Sequence, residues 1–291
     1  MWKTLLMKPT FACLENVKSR VAVIGIPLDN TGTYRPGTRF APQKIRDAAC
    51  NLELYSIMAN KSIEDVGFKD YGDIVLPPGD TVRSLQRIEL ITRNISGEHN
   101  GLLVILGGEH LLTYSTVRAL EDRIDTLIVF DAHLDSRLEY LDSNVNHATF
   151  LRKLIEEGVN VLHIGSRAYT EDEVNYVKSK SNVKVFNILD VYNNKLEFSD
   201  LGRTYVSVDL DVFDPAIAPG VSNPEPLGLN TYMFLNILKN VFNKSTSIVA
   251  IDVVEVNPLV DYSDVTSILA AKVVIESVGL YLSKTTEYNV K

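Results

Sequence analysis

The stretch Leu127-Ile128-Val129-Phe130-Asp131-Ala132-His133-Leu134-Asp135 decides the fold class of this chain. Leu127 to Phe130 is an unbroken apolar run rather than an alternating one, which suits a strand buried on both faces of a parallel sheet. Runs of the same kind recur at Val21 to Ile26, Leu102 to Leu106, Val159 to Ile164, Val183 to Phe186, Tyr205 to Val208 and Ile248 to Val254. Helical patterns separate them. Residues 81 to 96 place Val82, Leu85, Ile88, Ile91 and Ile95 on one face. Pro42 suits the first turn of another helix, and Asp80 and Thr170 stand where caps are needed. Strand and helix alternating over this length predict a doubly wound α/β fold, with a central, mostly parallel sheet of about eight strands flanked by helices. No linker or repeat divides the chain, so one domain over residues 1–291 is expected. Two Gly/Pro-rich stretches, Asp29 to Pro42 and Phe213 to Leu229, interrupt the alternation and are expected at a functional site.

Composition narrows the field. Among 291 residues, 45% are hydrophobic and 23% charged, with 29 Lys+Arg against 37 Asp+Glu and a net charge of −8. That excludes a disordered chain or a fibre. It also argues against nucleic acid as partner, since phosphate binding needs clustered cations; small cationic substrates or metal ions suit the carboxylates better. Cys13 and Cys50 are too few for a disulfide scaffold, which points to a reducing, cytoplasmic setting. The apolar clusters around Lys3 and Lys8 are too short for a signal-peptide core, and no run reaches the ~20 apolar residues of a membrane span.

The chemistry gathers where the strands end. Gly107-Gly108-Glu109-His110 follows one run, Asp131 to Asp135 the second, Asp209-Leu210-Asp211 a third and Glu255 a fourth. The C-terminal ends of parallel strands share one edge of the sheet, so these clusters converge. Alternation along the chain would set Asp131, His133 and Asp135 on one side. Carboxylates and imidazoles gathered at one place need a positive charge between them, so a metal centre is expected. Asp131, Asp135, Asp209 and Asp211 formally neutralise two divalent cations, and His110 and His133 supply a nitrogen for each. Oxygen and nitrogen donors without thiolate suit Mn²⁺ best, with Fe²⁺, Co²⁺ or Ni²⁺ as substitutes. Two such ions ~3.5–4 Å apart activate a shared water for hydrolysis.

At these residues the chain resembles the ureohydrolases, the arginase and agmatinase family, and its agmatinase-like branch most. The resemblance runs from GIPLDNTGTYRPGTRFAP (25 to 42) through GGEH (107 to 110), DAHLD (131 to 135) and SVDLDVFDPAIAPG (207 to 220) to EVNP (255 to 258). It implies an arginase-like three-layer α/β/α fold and two Mn²⁺ per subunit. One ion would be held by His110, Asp131, Asp135 and Asp209, the other by His133, Asp131, Asp209 and Asp211, with Asp131 and Asp209 shared. It further implies that Glu255 pairs with the substrate guanidinium and that His147 transfers protons at the pocket mouth; in the expected mechanism Asp131 or Asp209 first carries the proton to the leaving amine. His99 and His163 read as structural. The expected reaction is hydrolysis of agmatine to putrescine and urea, a step of polyamine biosynthesis, in a homotrimer or homohexamer. Arginine and other guanidino or formimino acids stand as alternative substrates. A single-zinc deacetylase-like enzyme and a non-catalytic metal-binding protein are the readings from other classes. Three departures from the family pattern bear on the pocket. Leu111 stands where Ser is usual, Ser222-Asn223 replaces Gly-Thr, and Leu227 interrupts a usual Pro-Glu-Pro-Gly-Gly.

Overall fold

The computed structural model describes residues 6–7 and 10–288. Lys3, Leu5 and Lys8, read above as part of a segment too short for a signal peptide, lie outside the described residues. The strands are β1 (Leu6–Met7), β2 (Val21–Ile26), β3 (Tyr55–Ser56), β4 (Lys61–Ser62), β5 (Lys69–Ile74), β6 (Leu102–Gly107), β7 (Thr126–Phe130), β8 (Val161–Ser166), β9 (Val183–Asn187), β10 (Gly202–Asp209) and β11 (Ser245–Val254). The helices are α1 (Ala41–Ala49), α2 (Thr81–Glu98), α3 (Leu112–Ala119), α4 (Phe150–Glu156), α5 (Glu171–Lys178), α6 (Ile188–Tyr192), α7 (Thr231–Lys244) and α8 (Val265–Tyr288).

One nine-stranded sheet runs in the order β1-β5-β2-β6-β11-β10-β7-β8-β9. β1 pairs antiparallel with β5 at the edge, and every other pairing in this sheet is parallel. The eight parallel strands match the expectation. Alternate residues of each strand feed two apolar layers, with Val23, Val104, Ile128, Val206 and Ile251 on one face and Ile24, Ile105, Leu127, Tyr205 and Ala250 on the other. Every residue of β2 and β6 is therefore buried, which is why these strands read as continuous apolar runs. β6 and β7 are separated in the sheet by β11 and β10, which arrive later in the chain. Four adjacent strands thus end together at a topological switch point, where ligands bind in open α/β sheets.

Local signals explain the helices. The Asp80 side chain accepts from Arg83 N at 2.9 Å to open α2, and Thr170 and Glu173 form a reciprocal capping box on α5. Pro42 sits in the first turn of α1. Leu85, Ile88, Ile91 and Ile95 are buried as their spacing predicts, but Val82 is not: it lies in the first turn, still short of the core, and is 57% exposed.

Three other expectations are corrected. β5, Lys-Asp-Tyr-Gly-Asp-Ile, adds a strand where the sequence shows no apolar run, because its two aspartates break the pattern; the buried Arg46 of α1 neutralises them, with bonds of 2.8 and 2.9 Å to Asp70 and 2.5 Å to Asp73. Cys13 and Cys50, expected to stay reduced, are joined in a disulfide with Cα atoms 5.2 Å apart. A count of cysteines does not show that the fold brings a turn near the N-terminus against the end of α1. A helical stretch long and apolar enough to cross a membrane does exist, Tyr262–Thr285, but 83% of its apolar window is buried inside the protein, as befits a core helix.

Candidate metal centre and its cleft

His110 follows β6, Asp131, His133 and Asp135 follow β7, Asp209 ends β10 with Asp211 in the turn after it, and Glu255 follows β11. All converge at the sheet's carboxyl edge. His110 Nδ1 lies 3.0 Å from Asp131 Oδ2, 3.2 Å from Asp209 Oδ2 and 3.6 Å from Asp135 Oδ2. His133 Nδ1 lies 2.9 Å from Asp211 Oδ2 and 3.7 Å from Asp131 Oδ1. Two triads emerge, His110-Asp131-Asp135 and Asp131-His133-Asp211, each with ligand atoms within 4.8 Å of one another and with Asp131 common to both.

The convergence is not produced by strand alternation. β7 ends at Phe130, and Asp131 to Asp135 form a turned segment beyond it. Backbone amides shape that turn: His133 N donates to Asp131 Oδ1 at 2.6 Å, Ala132 N to Asp211 Oδ1 at 3.0 Å and Asp211 N to Asp209 Oδ1 at 2.8 Å. Asp135 sits in the left-handed region at φ 45°. Asp131, Asp209 and Asp211 thus each give Oδ1 to a backbone amide and turn Oδ2 toward a histidine, a division that period-2 geometry does not provide.

The electrostatics of the cluster call for a cation. His110 Nδ1 and Asp131 Oδ2 are buried and have no hydrogen-bond partner among the described residues, although they face each other. Two orphaned ligand atoms in a dry site are costly unless a metal joins them. Burial, together with Asp131, pushes the Asp135 carboxyl well above the usual carboxylate range. Burial together with Asp211 does the same to Asp209. Burial works to raise Asp131 too, but the imidazoles of His110 and His133 hold it below its ordinary value. Divalent ions would relieve all of these groups at once. The donor set of carboxylate oxygens and imidazole nitrogens fits such ions.

A second ring of contacts fixes His110. Its Nε2 meets Ser207 Oγ at 2.9 Å, and Ser207 Oγ donates to Asp252 Oδ1 at 2.6 Å. Asp252 also accepts from Thr113 Oγ1 at 2.8 Å and from the Tyr205 hydroxyl at 2.7 Å. Asp252 stands opposite Ser207 in the register of β10 and β11, yet nothing in the sequence marked it, because it lies inside an apolar run. Leu111, where a hydroxyl was expected to be lost, packs fully buried in the apolar layer instead, and Ser207 is the hydroxyl that His110 meets.

Glu255 has φ 63° and accepts from His110 N at 2.8 Å through Oε1. Burial pushes its carboxyl up to about 8. Glu109 ties the first Gly/Pro-rich loop to the end of β6: its Oε2 accepts from Asn30 N at 3.1 Å and Thr31 N at 2.7 Å, while burial raises it to about 7. His147, which lacked any neighbouring cluster in the sequence, is brought to the cleft. It starts a turn capped by Asn146, its backbone amide donates to Thr31 Oγ1 at 3.0 Å, and its Nε2 lies 3.3 Å from Thr33 Oγ1. Burial holds its ring down to about 4, so it is neutral. His163 is buried in β8 and its Nε2 meets His133 O at 2.7 Å; His99 caps the end of α2. His163 thus braces the turn that carries His133 from behind, and neither ring is one of the clustered ligand side chains.

The cleft above the cluster has a volume of about 450 Å³ and is lined from both Gly/Pro-rich loops, by Thr33, Tyr34 and Arg35 and by Asn223, Pro224 and Glu225. Buried Asn257 stitches these loops together, donating to Arg35 O at 3.0 Å and Pro36 O at 3.1 Å and reaching Ser222 Oγ at 3.3 Å. Leu227 holds φ 65°, a backbone position that favours the glycine usual there.

Comparison with known proteins agrees with this geometry. Residues 19–279 match the family model described as the arginase family. The chain is 36% identical to an agmatinase of Pyrococcus horikoshii over 263 residues, 89% of this chain and 90% of that protein. It is 32% identical to an N(1)-aminopropylagmatine ureohydrolase of Thermococcus kodakarensis over 282 residues, 94% of each. The crystal structure of the agmatine ureohydrolase of Thermoplasma volcanium superposes with a TM-score of 0.84 at 29% identity, covering 98% of both chains. The arginase family uses a binuclear metal site, and the paired triads around Asp131 are side chains that could hold one. With the fold, the strand-end cluster and the family match in agreement, this chain belongs to the arginase family and is a hydrolase of guanidino C–N bonds, of the agmatinase-like kind.

Proposed function

We propose that the protein hydrolyses agmatine to putrescine and urea with two Mn²⁺ ions held by His110, Asp131, His133, Asp135, Asp209 and Asp211. The observation that carries this reading is the pair of orphaned ligand atoms, His110 Nδ1 and Asp131 Oδ2, at the centre of two triads that share Asp131. When bound, the ions supply Lewis acidity that activates water as a nucleophile. The remaining work falls to the chain. Glu255, buried at the cleft floor, pairs with the guanidinium and sets its carbon toward the cluster. Attack by water forms the new C–O bond, and the C–N bond to the alkyl chain breaks as that nitrogen gains a proton. Asp131 or Asp209 passes that proton. His147, neutral and hydrogen-bonded to Thr33, exchanges it with solvent at the mouth. Arg35 at the rim is the feature that favours arginine as a second substrate, since its guanidinium suits a carboxylate. A homotrimer or homohexamer goes with the same reading and is checked by light scattering.

Urea release measured side by side on agmatine and arginine, with Mn²⁺ and then Zn²⁺ added to chelated protein, tests the proposal. Activity on agmatine exceeding that on arginine, and restored best by Mn²⁺, is the expected result. Preference for arginine would sink the substrate assignment, and full activity without metal the whole reading.

A further inference from the structure

The cleft holds one carboxylate that the chemistry above does not use. Asp135, Asp209 and Asp211 belong to the ligand cluster and Glu255 to the guanidinium. Glu173 is matched to Arg137, whose Nε lies 3.5 Å from Glu173 Oε2 and whose guanidinium stacks 4.4 Å from the centre of the Tyr140 ring. Arg35 leans back on its own neighbour, with Nη2 3.2 Å from the Tyr34 hydroxyl. Of the acids lining the cleft, Glu225 is left. Its Oε1 stands 3.8 Å from His133 Nε2, beyond hydrogen-bond range, on the side of the imidazole that faces away from the cluster.

Glu225 is built in place. Arg167 donates from Nη2 to Glu225 O at 2.8 Å and to Asp211 O at 2.6 Å, and from Nε to Pro226 O at 2.8 Å. The same guanidinium reaches Phe213 O at 3.2 Å and Gly165 O and Val212 O at 3.3 Å. One planar fork therefore holds the segment that carries Glu225 in fixed relation to the segment that carries Asp211. At the next turn Gly228 packs so tightly that a Cβ there would meet Asp214 N at 2.2 Å.

We propose that Glu225 is the specificity-determining residue of this site, receiving the distal ammonium of a guanidino substrate whose other end carries an amine, and that Arg167 is the positioning residue that aims it. This rests on the guanidino-hydrolase reading above. Glu225 and Glu255 line the same cleft, and Glu225 is set back from the cluster by one imidazole ring and the 3.8 Å gap. A cation at one end and a guanidinium at the other would then each meet a carboxylate, Glu225 and Glu255, with the alkyl chain between.

Steady-state kinetics on the metal-loaded protein with agmatine and with butylguanidine, which keeps the guanidinium and four carbons but lacks the amine, test this. Glu225→Gln is expected to raise KM for agmatine about 10-fold, with kcat within twofold and butylguanidine unaffected. Arg167→Lys, which keeps the charge but loses the fork, is expected to raise KM for agmatine more than KM for butylguanidine, with some loss on both because the same fork holds the Asp211 segment. An equal loss on both substrates would mean that Glu225 acts on His133 and overturns the proposal, as would no change on either. Wild-type protein that releases urea from neither compound overturns the hydrolase reading together with this one, whereas agmatine hydrolysis untouched by Glu225→Gln overturns this one alone.

Discussion

Asp252 shows how a residue remote from the cleft can govern it. Buried in the sheet and accepting three hydroxyl bonds, it leaves Ser207 Oγ free to accept only from His110 Nε2. That fixes the proton on Nε2 and presents the Nδ1 lone pair to the cluster. Asp252→Asn replaces one acceptor oxygen by a donor and is expected to weaken metal affinity about 10- to 100-fold, read by chelator competition; unchanged affinity would show that Ser207 needs no carboxylate behind it. His99 and His147 illustrate burial acting on titration. Burial lowers His99 below its ordinary 6.5 and brings His147 to about 4. At these two imidazoles the unfolded chain therefore binds more protons than the folded one below pH 6.5 or so, and their contribution to stability falls as pH drops from there toward 4. His99→Gln is expected to flatten the upper part of that decline in urea unfolding series; an identical slope would show that His99 titrates alike in both states.

At the scale of elements, the pairing of α1 with β5 is the least obvious from sequence. An edge region carrying Asp70 and Asp73 looks like a loop until Arg46, only 1% exposed as a side chain, is placed between them. Asp70 further accepts from Phe11 N at 2.7 Å and Gly72 N at 2.8 Å, so the ion pair also holds the turn at Phe11 against β5. Arg46→Ala leaves two carboxylates facing each other in a nearly dry site and is expected to cost about 3–5 kcal/mol, measured by urea unfolding. A loss under 1 kcal/mol would indicate that water takes the guanidinium's place. The central strands behave differently. Their apolar layers on both faces make them readable from hydropathy alone, and their ends were located to within a few residues.

For the molecule as a whole, stability and metal binding are linked through the same strand ends. The cluster gathers four carboxylates from two strand ends, and a ligand bound only to the folded state stabilises it by about 2.7 kcal/mol at 100-fold above its Kd. Chelation is therefore expected to lower the melting temperature and Mn²⁺ to restore it. A chelated protein that melts with the manganese-loaded form would show that the folded state tolerates the bare carboxylates by protonating them. The arrangement of four adjacent strands, β6-β11-β10-β7, makes this coupling possible: each contributes at least one side chain, and none of the four segments is near the next in sequence.

The apolar runs and the polar residues that end them determined, without coordinates, the α/β class, the parallel sheet and the strand-end residues of the cluster. Those features follow from local pattern: double-sided burial forbids alternation, and ligand types stand out where a strand stops. Tertiary structure decided the rest, with the family resemblance alone pointing to His147. His147 enters the cleft through loop contacts with Thr31 and Thr33, Asp252 reaches His110 only across two strands, Arg46 turns a polar segment into a strand, and Arg167 joins Glu225 to Asp211 across 44 to 58 positions of chain. These are long-range hydrogen bonds and ion pairs, whose partners are chosen by how the sheet closes and leave no periodic trace in the sequence.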